Sequence, residues 1–188
     1  MHVTAHSTDQ IAPSQRSAHW SKVIAETYFP LHLSFRDAAG FSGLLERRQM
    51  GDVSLSRLQT EALQYERRPT HIAYTTEEEY LITVPRLSPV EFRQIGREVR
   101  CDPGGFILER GDEPYRFSYS SANELSVLKV SKKALSEKLR DPDRFCAKVI
   151  DARSGLPALF TAMMQQVQAL PTTEGRAAEV LGRQMIEV

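Results

Sequence analysis

Neither sign of charge is in excess: lysine plus arginine and aspartate plus glutamate both number 24, so the formal net charge is zero. A segment that grips nucleic acid by itself carries a basic surplus, because phosphate neutralisation supplies most of the affinity. That role is a poor fit here. No apolar run approaches the length of a membrane span. The first residues, Met1 to Ser17, are polar and lack the charged-then-apolar layout of a signal peptide. Cysteine is scarce: Cys101 and Cys146 lie far apart with no Cys-x-x-Cys pattern, and Cys101 shares an alternation face with Val99, as a buried free thiol would. These features predict a cytoplasmic location. A Gly-x-Ser-x-Gly elbow is missing, and Pro103-Gly104-Gly105 lacks the spacing of a phosphate-cradling loop.

What is present suits one compact unit with appendages, at 188 residues, 41% hydrophobic and 26% charged. Residues 1–16 read as a flexible arm, with Pro13 discouraging helix. Ser17 is placed to cap a short helix in which Trp20, Val23, Ile24 and Tyr28 recur at helical spacing, closed by Pro30. From Phe41 to Val130 the chain is a series of short β-rich runs broken by turn chemistry. Gly51-Asp52 precedes Val53 to Gln59, Pro85 ends Tyr80 to Val84, and Ile95-Gly96 marks a tight hairpin. Pro103-Gly104-Gly105 and Gly111 to Pro114 mark further turns, and Leu125 to Val130 is the last strand. Many short strands without intervening helices argue a sandwich or barrel and against a parallel α/β sheet.

The pattern changes at Ser131, which can cap a helix from Lys132 to Leu139 that Asp141-Pro142 breaks. Leu156, Phe160, Met163, Val167 and Leu170 then step by four, three, four and three, with Leu159 and Met164 widening the stripe. Pro171 ends that helix. A second helical pattern runs from Glu174 to Val188, and its apolar finish with no closing signal is expected of a segment cut from something longer.

Read in order, Phe92-Arg93-Gln94-Ile95-Gly96-Arg97-Glu98, Pro103-Gly104-Gly105 and Pro114-Tyr115 carry a family resemblance. With the Trp20 helix, Tyr28-Phe29-Pro30-Leu31 and Met50-Gly51-Asp52-Val53, they resemble the N-terminal module of AraC-type transcription regulators from Trp20 to about Leu139. One departure stands out: Gly105 occupies the place where the family favours aspartate. The resemblance implies a mainly β fold with α, a cupin-like double-stranded β-barrel followed by a C-terminal helical dimerisation region. It divides the chain into an arm (1–16), an effector-binding barrel with its leading helix (17–130) and a helical dimerisation or linker region (131–188). It also implies a DNA-binding domain with two helix-turn-helix units beyond residue 188, so that DNA is contacted only there.

Enzymatic cupins hold a metal through paired histidines on one strand. Among His2, His6, His19, His32 and His71 no His-x-His pair occurs, so no metal, no cofactor and no catalytic residue is expected. The run Glu77-Glu78-Glu79 reads as a solvated loop. Arg57 alternates with Val53 and Leu55, so if those face the barrel interior Arg57 is carried inward and needs a carboxylate from the protein or a ligand. Alternatively it lies at the rim or pairs with an acid such as Glu46. Tyr80, Phe92, Phe106 and Tyr115 are candidates to wall an effector pocket or simply to fill the core. His71 is a candidate ligand contact or a turn residue. The leading expectation is a small-molecule sensor, possible effectors being carboxylates or aromatic compounds, that forms a homodimer through Leu156, Leu159, Phe160, Met163, Met164, Val167 and Leu170. A metal-dependent cupin enzyme and a ligand-free oligomerisation scaffold are the alternatives.

Overall fold

The computed structural model describes residues 2–73, 78–171 and 176–187. Glu77 of the acidic run and Glu174 and Val188 of the last helical pattern lie outside the described residues. Strand β1 (His2–Ser7) leads through a 3-10 turn, Pro13–Gln15, into α1 (Arg16–Thr27). Then follow β2 (His32–Phe35), β3 (Gly43–Met50), β4 (Val53–Thr60), β5 (Leu63–Arg67) and the one-turn α2 (Pro69–Ile72). After these come β6 (Glu79–Pro85), β7 (Val90–Gln94), β8 (Arg97–Cys101), β9 (Gly105–Arg110), β10 (Tyr115–Tyr119) and β11 (Asn123–Ser131). The chain continues through α3 (Lys132–Lys138), the 3-10 turn Pro142–Phe145, β12 (Val149–Asp151), α4 (Gly155–Ala169) and α5 (Arg176–Glu187).

The strands form two antiparallel sheets, ordered β1-β3-β4-β11-β6-β9-β12 and β2-β5-β10-β7-β8. They face one another across a core of Trp20, Leu45, Leu58, Tyr65, Phe92, Ile107 and Phe117, among others. The sheets are not closed into a barrel, which corrects the expected architecture: they stack as a sandwich, and among the described residues no strand pairs across from one sheet to the other. A second core of Val53, Leu55, Leu108, Leu128, Phe160 and Met164 lies between the outer face of the seven-stranded sheet and the C-terminal helices. Both faces of that sheet are therefore buried, and β9 shows five buried residues in a row. The five-stranded sheet has a wet outer face, so β7 and β10 alternate buried and open positions.

Two further expectations are corrected. The arm is not free along its length: His2–Ser7 pairs antiparallel with β3, from His2 opposite Gln49 to Ser7 opposite Leu44. Pairing with β3 along one side satisfies part of its backbone, which a polar sequence with weak alternation does not advertise. Helix α1 starts at Arg16, ahead of Ser17, on the preceding 3-10 turn and without a side-chain cap. Ser131, by contrast, does cap α3, its Oγ accepting from the Ala134 N–H at 3.2 Å.

The motif residues are braces. Gln94 donates from Nε2 to the Arg110 carbonyl at 2.7 Å and accepts the Arg110 N–H at 3.0 Å. Arg97 donates to the Cys146 carbonyl at 2.8 Å, fixing the chain that enters β12. Gly105 is tightly enclosed: a Cβ there would lie 3.1 Å from Val149 Cγ1 and 3.2 Å from Cys101 Sγ, so those neighbours would have to shift. Strand β12, pairing Asp151 with Gly105, occupies the space a side chain would need. Both cysteines are free and buried.

Candidate functional site

Alternation along β6, β9 and β11 sends neighbouring side chains into two different chambers. Ile82, Phe106, Leu108, Leu128 and Val130 point outward, toward the helices, and line an apolar cleft of about 390 Å³. Leu135 of α3, Leu156, Pro157 and Phe160 of α4, and Met185 and Ile186 of α5 form its other wall. Phe106 and Phe160 meet across it with ring centroids 5.5 Å apart. The charged side chains in the lining are Lys138 and Glu187, paired to each other at 3.0 Å. A space of this size and lining is typical of small-ligand sites, which are concave and mostly apolar.

The inward-facing set lines a cavity of only about 40 Å³ between the sheets. Its walls include Tyr28, Tyr65, Thr83, Glu109 and Tyr115. Glu109 is 3% exposed, and its carboxylate accepts from the Thr83 hydroxyl. Burial pushes the Glu109 carboxyl up to about 8, against a smaller opposing effect from the Thr83 hydrogen bond, so it holds its proton at neutral pH. Burial also raises the Tyr28, Tyr65 and Tyr115 phenols. Tyr28 shares a hydrogen bond with Ser56, and Tyr119 bonds both Thr60 and Tyr65. The inner chamber is thus a neutral hydroxyl-and-carboxyl network.

The sequence candidates divide between these chambers. Phe92 and Tyr115 lie in the inter-sheet core, rings 5.6 Å apart. Phe106 faces the outer cleft. Tyr80 also faces outward, and its hydroxyl donates to Asp143. Arg57 is a correction: β4 turns Ser56 and Leu58 inward, while Val53, Leu55 and Arg57 face the helical side. Its guanidinium meets Glu124 Oε2 at 2.8 Å and is 42% exposed. The alternation was sound, but both faces of the sheet are buried and apolar neighbours therefore do not mark the interior. His71 sits in α2, half-buried, its Nδ1 accepting the Arg68 N–H at 3.2 Å. Sequence reasoning does not single out Glu109, Tyr28 or Thr83, which wall the inter-sheet cavity and lie apart from the helical cleft. An acid inside the apolar run Phe106-Ile107-Leu108-Glu109 was the available signal.

The expected interface stripe is also divided. Phe160, Met164 and Val167 are buried against the seven-stranded sheet and are unavailable to a partner. Leu156 and Leu159 remain 66% and 57% exposed, Leu170 is 39% exposed, and Met163 is half-buried. Arg48 ties down the C-terminal end of α4 through the carbonyls of Gln168 at 2.7 Å and Leu170 at 3.0 Å. Among the described residues no group of three or more His, Cys, Asp or Glu is placed to hold a metal ion. None of the described helices is long and apolar enough to cross a membrane.

Two stacked antiparallel sheets with helices closing a ligand-sized cleft on one of them define a mainly β module with a docked helical tail. The chain belongs to the AraC-binding-like domain family, whose model matches residues 20–188. The resemblance read from Trp20 onward therefore holds. The AraC-like transcriptional activator CuxR superposes with a TM-score of 0.77 over 99% of this chain and 69% of that one, at 18% identity, a likeness of fold. A protein from the nit 5′ region of Bacillus sp. (strain OxB-1) is 21% identical over 140 residues, 74% of this chain and 54% of the relative. The chain thus spans about half the length of the curated relative it matches. The Schizosaccharomyces pombe Cnp3 cupin domain overlaps 56% of this chain and 72% of its own at 9% identity and a TM-score of 0.37, which carries no weight here.

Proposed function

We propose that this chain is the effector-sensing domain of an AraC-type transcription regulator, with no catalytic activity of its own and with DNA contacted through a separate domain. The observation that carries the reading is the cleft of about 390 Å³ whose walls are shared between the sheet and α3, α4 and α5. A ligand that fills it contacts both walls and so favours one placement of the helices over others. The lining supports a neutral, largely aromatic or aliphatic effector. A carboxylate effector held by Arg57 is not supported, because its Nη2 already pairs with Glu124 on the sheet's helical side and Arg57 is not among the residues lining the cleft.

A homodimer through the outer face of α4 belongs to the same reading. Exposed Leu156 and Leu159 beside half-buried Met163 support it, since large apolar side chains grouped on one helix face mark interfaces. The test of the effector site is thermal unfolding with neutral aromatic compounds of the size of indole. A saturable rise in melting temperature is expected, because binding to the folded state alone raises apparent stability. Ile82→Trp, which fills the cleft from the sheet side, should abolish that rise while the protein stays folded. No rise with any compound, or a rise that Ile82→Trp leaves intact, would refute the cleft as the site.

A further inference from the structure

The wet face of the five-stranded sheet carries a recess of about 360 Å³ that the effector reading does not use. Arg68, Arg93 and Arg116 line it together with Glu66. In the sheet register Arg116 stands directly opposite both Arg93 and Glu66. Like charges placed opposite one another across an antiparallel pair are destabilising unless an anion lies between them. Glu66 serves the other side: it meets Arg68 at 2.8 Å and Arg116 at 3.5 Å. Arg93 makes no ion pair among the described residues, although Glu98 is its register partner in β8.

Three guanidinium groups against one carboxylate leave two positive charges around one concavity. One wall is the hairpin turn Ile95-Gly96, both residues left-handed at φ 48° and 72°. Arg67 forms the floor, with its own guanidinium turned inward to the Gly111 and Pro30 carbonyls. Planar guanidinium forks match tetrahedral oxyanions through paired N–H donors, and a phosphate monoester supplies close to two negative charges at neutral pH. We infer that the recess of Arg68, Arg93 and Arg116 binds the phosphoryl group of a small soluble molecule. The site lies on the opposite sheet from the helical cleft and stands or falls separately from it.

The test uses the full 188-residue chain and inorganic phosphate at low ionic strength, followed by amide chemical shifts. Saturable shifts confined to residues 66–68, 93–96 and 115–116 are expected, with acetate, a monoanion, producing much weaker ones. Arg93→Gln and Arg116→Gln should each weaken phosphate binding about tenfold or more, because each removes a charge-assisted pair. Arg100→Gln, on the same wet face but paired with Asp102 and Glu91, should change nothing. Absence of saturable shifts, or equal loss in Arg100→Gln, would overturn the proposal. All three side chains are solvent-exposed, so the variants are expected to fold, and unchanged circular dichroism verifies it.

Discussion

Leu108 and Glu109 are consecutive in β9 and point into different chambers, Leu108 into the apolar cleft beneath the helices and Glu109 into the narrow space between the sheets. One strand therefore borders both, and a displacement of β9 from either side is felt on the other. The pairing of β9 with β6 and β12 limits that displacement.

The Glu109 environment sets a pH dependence. Folded, the carboxyl keeps its proton up to about pH 8, whereas the ordinary value is 4.5. Between those values the folded chain binds more protons than the unfolded one, so stability falls as pH rises through this window. The full penalty is reached above pH 8 and is on the order of a few kcal/mol. Urea unfolding at pH 5, 7 and 9 should show a steeper decline for the wild type than for Glu109→Gln, which keeps the shape and cannot ionise. Parallel curves would mean that Glu109 is already charged or already solvated.

Gly182 offers a test of how α5 is held. A Cβ at this position would lie 2.2 Å from the Met50 carbonyl oxygen, a backbone atom at the end of β3 that cannot swing away. Alanine is intrinsically better in a helix than glycine by about 1 kcal/mol. Here overpacking is expected to dominate, and Gly182→Ala should destabilise the protein by about 1–3 kcal/mol in chemical unfolding. A stabilised variant would show that α5 does not rest on the β3–β4 hairpin.

Arg57 carries a smaller expectation. Its pair with Glu124 is partly exposed, and such pairs contribute roughly 0–1 kcal/mol. The Arg57 hydrogen bond chiefly holds the Glu124 carboxyl below its ordinary range, so this small contribution is present at neutral pH and fades as the solution is acidified through the lowered value. Arg57→Ala should lower the melting temperature only slightly at pH 7 and leave aromatic-ligand binding unchanged. A loss of ligand binding would restore Arg57 to the site.

Much of this fold was legible in the chain. Most strand positions from Val53 to Val130, the Ser131 cap and the helix ending before Pro171 follow from short-range rules, and the structure repeats them, while β5 at Leu63–Arg67 was not legible in the chain. What failed was the assignment of faces. In β4 the inward residues are Ser56, Leu58 and Thr60, two of the three carrying hydroxyls that bond to tyrosines, and the outward ones are Val53 and Leu55. A polar network filled one side and helices covered the other, so polarity no longer separated inside from outside. The candidate pocket failed for the same reason: Phe92 and Phe106 both lie in apolar cores, on opposite sides of one sheet.

The same division decides how dimerisation has to be tested. The stripe on α4 suggests Met163 and Val167 as interface positions, yet Val167 is 2% exposed and packs with Met164 on the sheet. Val167→Glu would bury an unpaired charge and is expected to unfold the protein, which says nothing about a partner. Leu156 and Leu159 are the informative positions. They lie three apart on the helix and are mostly exposed, so replacing them removes little from the monomer's own core. If two copies meet through α4, an isologous contact brings each leucine pair against its symmetry mate, and a charge introduced there opposes its own copy. Leu159→Glu should therefore shift the chain from dimer to monomer in sedimentation at micromolar concentration, with the melting curve of the folded unit essentially retained at high dilution. The weight of Leu156 is harder to isolate because it also lines the cleft, so Leu156→Glu should impair both dimerisation and aromatic-ligand binding. A wild-type chain that sediments as a monomer, or a folded Leu159→Glu variant that dimerises as tightly as the parent, would refute α4 as the seam.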